Sequence, residues 1–308
     1  MTHKTKRWTA LAIILLTVIA LPLPAHAWGG GMHLKIGLEL LNQLSTLPAA
    51  MSAILAAYPK DFLYGCLAAD ITLGKKFTHY LLNCHRWKIG LKVLQSAKSE
   101  GEQACAYGYL CHLAADVIAH NCFVPYKIMH SFPTVTMKHA YWEMRFETFI
   151  EKEVWDVARE VCQSDQTAND VLLRDVLTPT IFSFGINKRI FNSIMLLSRL
   201  ERWQDVMQTL SDNSRYRLSE EEFLEYFQLT RDTVFQYMPL CRSSELLVAD
   251  PTGERSLETA EAVRKNLRLL YKNGKISKTA GLEQVEQIRY MLIQALLNSQ
   301  LLEELHSG

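Results

Sequence analysis

The sequence predicts an all-α protein built as one multi-helix domain, and three observations lead there. Apolar residues recur at helical spacing, as in Leu282, Val285, Ile288, Leu292 and Leu296 and, earlier, in Ile190, Ile194 and Leu197. Alternating strand patterns are scarce. The punctuation is that of helices and turns, with no internal repeat, no low-complexity tract and no obvious linker.

Residues 1–27 read as an export signal. Lys4, Lys6 and Arg7 form a basic start, Thr9 to Leu21 is an apolar core, and Ala25-His26-Ala27 is the small-residue pattern that a signal peptidase cuts after. The apolar run is shorter than the roughly 20 residues that a membrane span needs. No cysteine stands at the cleavage point, which argues against a lipid anchor. The mature chain is therefore expected to be residues 28–308, secreted or periplasmic, with a free amine on Trp28. Removing the signal takes three of the 33 basic residues and leaves 30 against 32 acidic ones. That balance gives no reason to expect a stable nucleic-acid partner, which a basic patch would announce.

The seven cysteines (66, 84, 105, 111, 122, 162 and 241) are odd in number and form no C-x-x-C pair, so small buried hydrophobes are expected at Cys111 and Cys122. Further on, Ser219 three residues before Glu222 is a capping box opening a helix, and the acidic run Glu220 to Glu222 is its solvated start. Asp250-Pro251-Thr252-Gly253 is the clearest turn, and Ser211 to Ser214 is another. The helical part from residue 150 to 308 is expected to pack against and cover the rest.

The histidines are distributed unevenly. Of eight in the mature chain, seven lie between His33 and His139 and only His306 lies outside. In "GYLCHLAADVIAHNCFVP" (108–125), His112, Asp116 and His120 recur every four residues, so each step drifts only about 40° and all three share one helix face. His112 and His120 are then about 12 Å apart along the axis, too far to grip one ion. Two ions are implied, with the two-oxygen carboxylate of Asp116 between them. Burying such a stripe without metal would be costly for the carboxylate. In "KHAYWEMRFE" (138–147), His139 and Glu143 form a second i, i+4 clamp, while Glu147 continues the stripe in a surface or supporting role. A third stretch offers Asp70, His79 and His85, with Asp70 expected in an exposed turn ahead of Gly74-Lys75-Lys76.

Taken in order, these segments resemble the zinc-dependent phospholipase C family and the related single-strand-specific nucleases that share its trinuclear zinc site. The resemblance covers residues 28 to about 147 and rests on Trp28 with His33, on Asp70 followed by Cys84-His85-Arg86-Trp87, on the His112, Asp116, His120 run, and on His139 with Glu143. It implies that one zinc ion takes Asp70, His85, His112 and Asp116. A second takes His120, His139 and Glu143. The third takes the Trp28 amine and carbonyl, His33 and the other oxygen of Asp116. The spacing from Asp70 favours His85 over His79, and His130 matches no family position. Asp116 and His120 stand closer together than in the best-known members. The step from Trp28 to His33 looks more like the nucleases, and Glu143 looks more like the phospholipases.

The resemblance further implies an exported phosphodiester hydrolase, a phospholipase C that cleaves phospholipid head groups with metal-activated water. Asp70 would orient that water or take its proton. Phospholipid is favoured over nucleic acid because the composition lacks a basic face, and transient contact with a membrane surface goes with such a substrate. A nuclease or nucleotidase on the same scaffold, which should show aromatic stacking platforms near the metals, and a non-catalytic metal-binding helical protein are the alternatives.

Overall fold

The computed structural model describes residues 28–71, 84–134, 139–177, 183–198 and 217–297. Among these residues all regular structure is helical. The chain runs through α1 (Gly30–Leu41), α2 (Ala49–Ala57), α3 (Pro59–Ile71), α4 (Trp87–Ser96) and α5 (Glu100–Ile118). A π-helical turn, Ala119–Phe123, follows directly, and then α6 (Val124–His130), α7 (His139–Glu147), α8 (Lys152–Gln163), α9 (Thr167–Val176) and α10 (Phe184–Ser198). Helices α11 (Glu220–Leu240), α12 (Glu254–Lys272) and α13 (Lys278–Leu297) complete the described fold. None of these helices is long and apolar enough to cross a membrane.

Helix α5 is the axis of the molecule. Ser99 and Glu102 open it with a capping box, and every residue from Gly108 to Ile118 is buried, as befits a helix surrounded on all sides. Its closest neighbour is α3, and two glycines explain how close. A Cβ on Gly65 would lie 1.9 Å from the Cys105 carbonyl oxygen, and one on Gly108 would lie 1.9 Å from the Phe62 carbonyl oxygen. Only hydrogen at both positions lets the backbones cross at this distance. The crossing brings the end of α3 beside the middle of α5, so Asp70 comes to stand near His112.

The other helices wrap this pair. Helix α1 lies along α3, α4 along α5, and α11 covers α5 from the C-terminal side, while α12 and α13 pack over α6. The expected capping box Ser219/Glu222 opens α11. The α13 stripe is also present, with Val285 buried and Leu282, Ile288, Leu292 and Leu296 packed on the core. Glu222 does more than face solvent, since it also receives the ammonium of the buried Lys127.

The stripe expected in α10 is displaced. Ile190 is 37% exposed, and the buried face is instead Asn187, Phe191 and Met195. Both sets have helical spacing, but the face with the aromatic ring and the flexible thioether is the one that closes over Gly30, where an added Cβ would lie 2.6 Å from the Met195 sulfur. The Leu197 side chain, the Ser211 to Ser214 turn, His306 and residues 1–27 lie outside the described residues. None of the cysteines is in a disulfide, and Cys111 and Cys122 are buried as expected.

Candidate metal centre

Asp116 is the hub. It sits on the fully buried stretch of α5 with no exposed surface, and its two oxygens face different histidines. Oδ1 lies 3.3 Å from His33 Nε2 on α1. Oδ2 lies 3.2 Å from His112 Nε2 and 3.4 Å from His85 Nε2. Asp70 Oδ1 closes the group, 3.1 Å from His85 Nε2 and 3.9 Å from His112 Nε2. His33 and His112 stack with ring centroids 3.6 Å apart, and His85 meets His112 edge-on at 5.0 Å.

Backbone contacts set the rings. His112 Nδ1 is 2.8 Å from the Cys66 carbonyl oxygen on α3, so Nδ1 carries a proton and in the neutral ring the lone pair lies on Nε2. That Nε2 stands 3.1 Å from His85 Nε2. Meanwhile both oxygens of Asp116 and both ring nitrogens of His33 are buried without a well-formed hydrogen bond. Polar groups placed so deep are normally satisfied. A cation among them would satisfy them, and a set of imidazole nitrogens and carboxylate oxygens is the donor chemistry that zinc takes. Two overlapping groups, His33-Asp70-His112 and His85-His112-Asp116, are compact enough for an ion.

Electrostatics follow the same geometry. Burial pushes His33 below its usual pKa, and the neighbouring His112 adds to the effect. At His112 burial acts in the same direction, but Asp116 and Asp70 overcome it and the pKa rises. At Asp116 burial favours the neutral acid, yet His112 and His33 outweigh it and hold the carboxyl well below its usual range.

Trp28 is fixed beside this hub. Its indole donates a hydrogen bond of 3.0 Å to the carbonyl of Ala115, the residue before Asp116. The ring packs between Phe123 and Phe146, with centroids 5.0 and 4.2 Å away. Glu147 holds the next residues, accepting from the backbone N–H of Gly31 at 2.9 Å and of Met32 at 3.0 Å, and so caps the start of α1 from a distant helix. A Cβ on Gly29 or Gly31 would strike this carboxylate at 2.6 Å or less, which gives these glycines a packing reason. Burial lifts Glu147 to about 7 against the two backbone donors.

Of the expected ligands, Asp70, His85, His112, Asp116 and His33 come together, as two compact groups that share His112. Asp70 is not in an exposed turn, however; it lies in the last turn of α3 and is 3% exposed, because the glycine crossing carries that helix end inward. His79 and the Gly74-Lys75-Lys76 loop lie outside the described residues. His120 does not continue the α-helix that carries His112 and Asp116. It sits in the π turn, buried, with Nδ1 2.6 Å from the Pro251 carbonyl oxygen. Such turns change the register of the residues that follow and occur frequently at functional sites. Glu143 is buried on α7, and His139 opens that helix, but the His139 side chain lies outside the described residues. His130, which matches no family position, is at the exposed end of α6 against Tyr126.

Sequence reasoning missed the contribution of Pro251, whereas the supporting role it left open for Glu147 is the one its contacts with Gly31 and Met32 show. The Asp250–Gly253 turn was legible as a turn, but nothing in its residues tells where it docks.

A family model described as zinc-dependent phospholipase C matches residues 32–230. An uncharacterized protein of Archaeoglobus fulgidus is 28% identical over 115 residues, which amount to 35% of this chain and 30% of that relative. No solved structure matches the chain. The family match begins after Trp28 and ends within α11.

Proposed function

The chain belongs to the zinc-dependent phospholipase C family, and from that premise we propose an exported enzyme that hydrolyses the head-group phosphodiester of phospholipids at a trinuclear zinc centre. Family membership carries a phospholipase C-like, phosphodiester-hydrolysing function. The lipid substrate, export, the ion count and the ligand roles are this proposal.

One observation carries it. The buried Asp116 carboxylate turns one oxygen to His33 and the other to His112 and His85, the arrangement a carboxylate needs to bridge two cations. The proposed ligand sets are Asp70, His85, His112 and Asp116; His33 and Asp116 with the amine and carbonyl of Trp28; and His120, His139 and Glu143. Zinc held there supplies Lewis acidity toward a phosphoryl oxygen and lowers the pKa of water toward neutrality.

The chain's own residues do the rest. Asp70, whose Oδ1 is within 3.1 Å of His85, takes or directs the proton of the attacking water through a carboxylate oxygen. His112 and His120 are held by backbone carbonyls through Nδ1, so each directs Nε2 away from that contact. The enclosing helices keep bulk water out and strengthen every charge interaction inside.

Phospholipid is preferred to nucleic acid in this reading because the sequence without residues 1–27 has 30 basic residues against 32 acidic ones and so no basic excess. Among the described residues, Trp28, Phe123 and Phe146 are buried and pack on one another and are not available to stack on a base. Mature protein starting at Trp28, supplied with zinc and offered phosphatidylcholine, phosphatidylinositol, single-stranded DNA and RNA in parallel, should release phosphorylated head group from a phospholipid. Turnover of nucleic acid alone would overturn the lipid assignment.

A further inference from the structure

The segment Ala249–Ser256 lies beyond the family match, which ends at residue 230, yet it touches the immediate surroundings of ligands on two separate parts of the chain. The Pro251 carbonyl oxygen is 2.6 Å from His120 Nδ1. The Asn121 side chain donates to the Asp250 carbonyl at 2.9 Å and accepts from the Ser256 hydroxyl at 2.7 Å. On the other side, the indole of Trp87, two residues after His85, donates to the Ala249 carbonyl at 2.7 Å.

The turn is built to sit this close. Asp250 accepts from the Thr252 N–H at 3.1 Å and from its hydroxyl at 2.6 Å. Gly253 closes the turn onto the Asp250 carbonyl at 3.0 Å with φ +56°, a backbone that favours glycine. A Cβ at Gly253 would lie 2.4 Å from both the Cβ and the carbonyl oxygen of His120. Glycine is therefore required twice over, by conformation and by the approach to the π turn.

We infer that the Asp250–Gly253 turn is the positioning element for His120, fixing which ring nitrogen faces the metal. A carbonyl can only accept, so His120 Nδ1 carries the proton and the lone pair stays on Nε2. The docked turn meets the buried His120 ring at Nδ1 and so fixes that edge of the ring. Pro251, Asn121, Gly253 and Ser256 act through His120. The inference rests on the reading of His120 as a zinc ligand.

Two glycines with positive φ give the test its control, because a Cβ at Gly274 (φ +66°) meets nothing within 4 Å. Gly253→Ala and Gly274→Ala impose similar backbone strain, but only the first pushes the turn off His120. Zinc per chain is measured on the full mature protein during chelator titration, with unfolding followed by circular dichroism. Gly253→Ala should release one ion at a chelator concentration about 10- to 100-fold lower than wild type, while Gly274→Ala releases it as wild type does. Should Gly253→Ala fail to fold, Asn121→Ala carries the test, with the same direction and a smaller shift. Wild-type retention in the folded Gly253→Ala, or in its Asn121→Ala substitute, overturns the inference. His120→Ala separates the two layers: if it keeps every ion, the ligand reading itself fails, and if it loses one while Gly253→Ala does not, the positioning role alone fails.

Discussion

The stretch from Trp28 to Glu147 is built around α5, and the helices from Glu220 onward cover it, α11 on α5 and α12 and α13 on α6, but the two regions contribute differently. The first supplies side chains that face one another around Asp116, with nitrogens and oxygens 3.1 to 3.9 Å apart. The second supplies carbonyl oxygens and bulk: Pro251 to His120, Ala249 to Trp87, and the cover of α11 over α5. In the proposed centre, chemistry placed in one region is aimed by backbone from another. If the contrast is right, changes in the first region should remove metal outright, and changes in the second should loosen it.

The largest effect is expected at the hub. Asp116→Asn should lose more than one ion and about a thousandfold in kcat/KM, in line with the several kcal/mol that a metal's Lewis acidity contributes. His130→Ala, at the exposed end of α6, should keep both metal and activity. Equal losses in the two variants, by metal analysis and assay, would break the comparison at its centre.

Next comes the crossing that brings Asp70 to α5. Gly108→Ala places a methyl 1.9 Å from the Phe62 carbonyl oxygen, and should cost about 3 kcal/mol in denaturant unfolding. Gly185→Ala meets nothing within 4 Å and has a helical backbone, so it should be neutral or stabilising by up to about 1 kcal/mol. An unchanged midpoint for Gly108→Ala would show that the two helices can part without harm.

How much of this was legible in the sequence divides along the same line. His112 and Asp116 are four apart on one helix and announce themselves by spacing. Their meeting with His33 and Asp70 came through the family likeness, because nothing local brings α1 and α3 to α5. The glycines at 65 and 108 that permit the crossing look unremarkable until the backbones are seen against each other. The π turn was hidden too, since His120 at four residues from Asp116 fits an unbroken α-helix equally well. Carbonyl partners are the least legible of all, because every residue has one and its direction depends on the fold. The α10 face shows the remaining difficulty: two stripes with helical spacing compete, the buried one including the polar Asn187, and tertiary contact with Gly30 decides between them.

A smaller effect is expected at the chain start. An extra Met or Gly before Trp28 turns the proposed amine ligand, with its ordinary pKa near 8, into an amide whose lone pair is delocalised. The extended protein should hold one ion about 10- to 100-fold more weakly at matched folding, as judged by chelator titration. Full retention would remove Trp28 from the ligand set.

The smallest concerns Glu147, lifted by burial from 4.5 to about 7. Its folded pKa is above the unfolded one, so between these values the folded state binds more protons and stability declines as pH rises. In metal-free protein, Glu147→Gln should flatten this decline between pH 4.5 and about 7, measured as unfolding midpoint against pH. An unchanged slope would show that the carboxylate does not carry it.

The most direct test of the proposed trinuclear centre is the zinc content of fully folded protein starting at Trp28 after mild dialysis, determined by elemental analysis against protein concentration. Close to three ions per chain is the predicted result. One ion or none would contradict the centre built around Asp116.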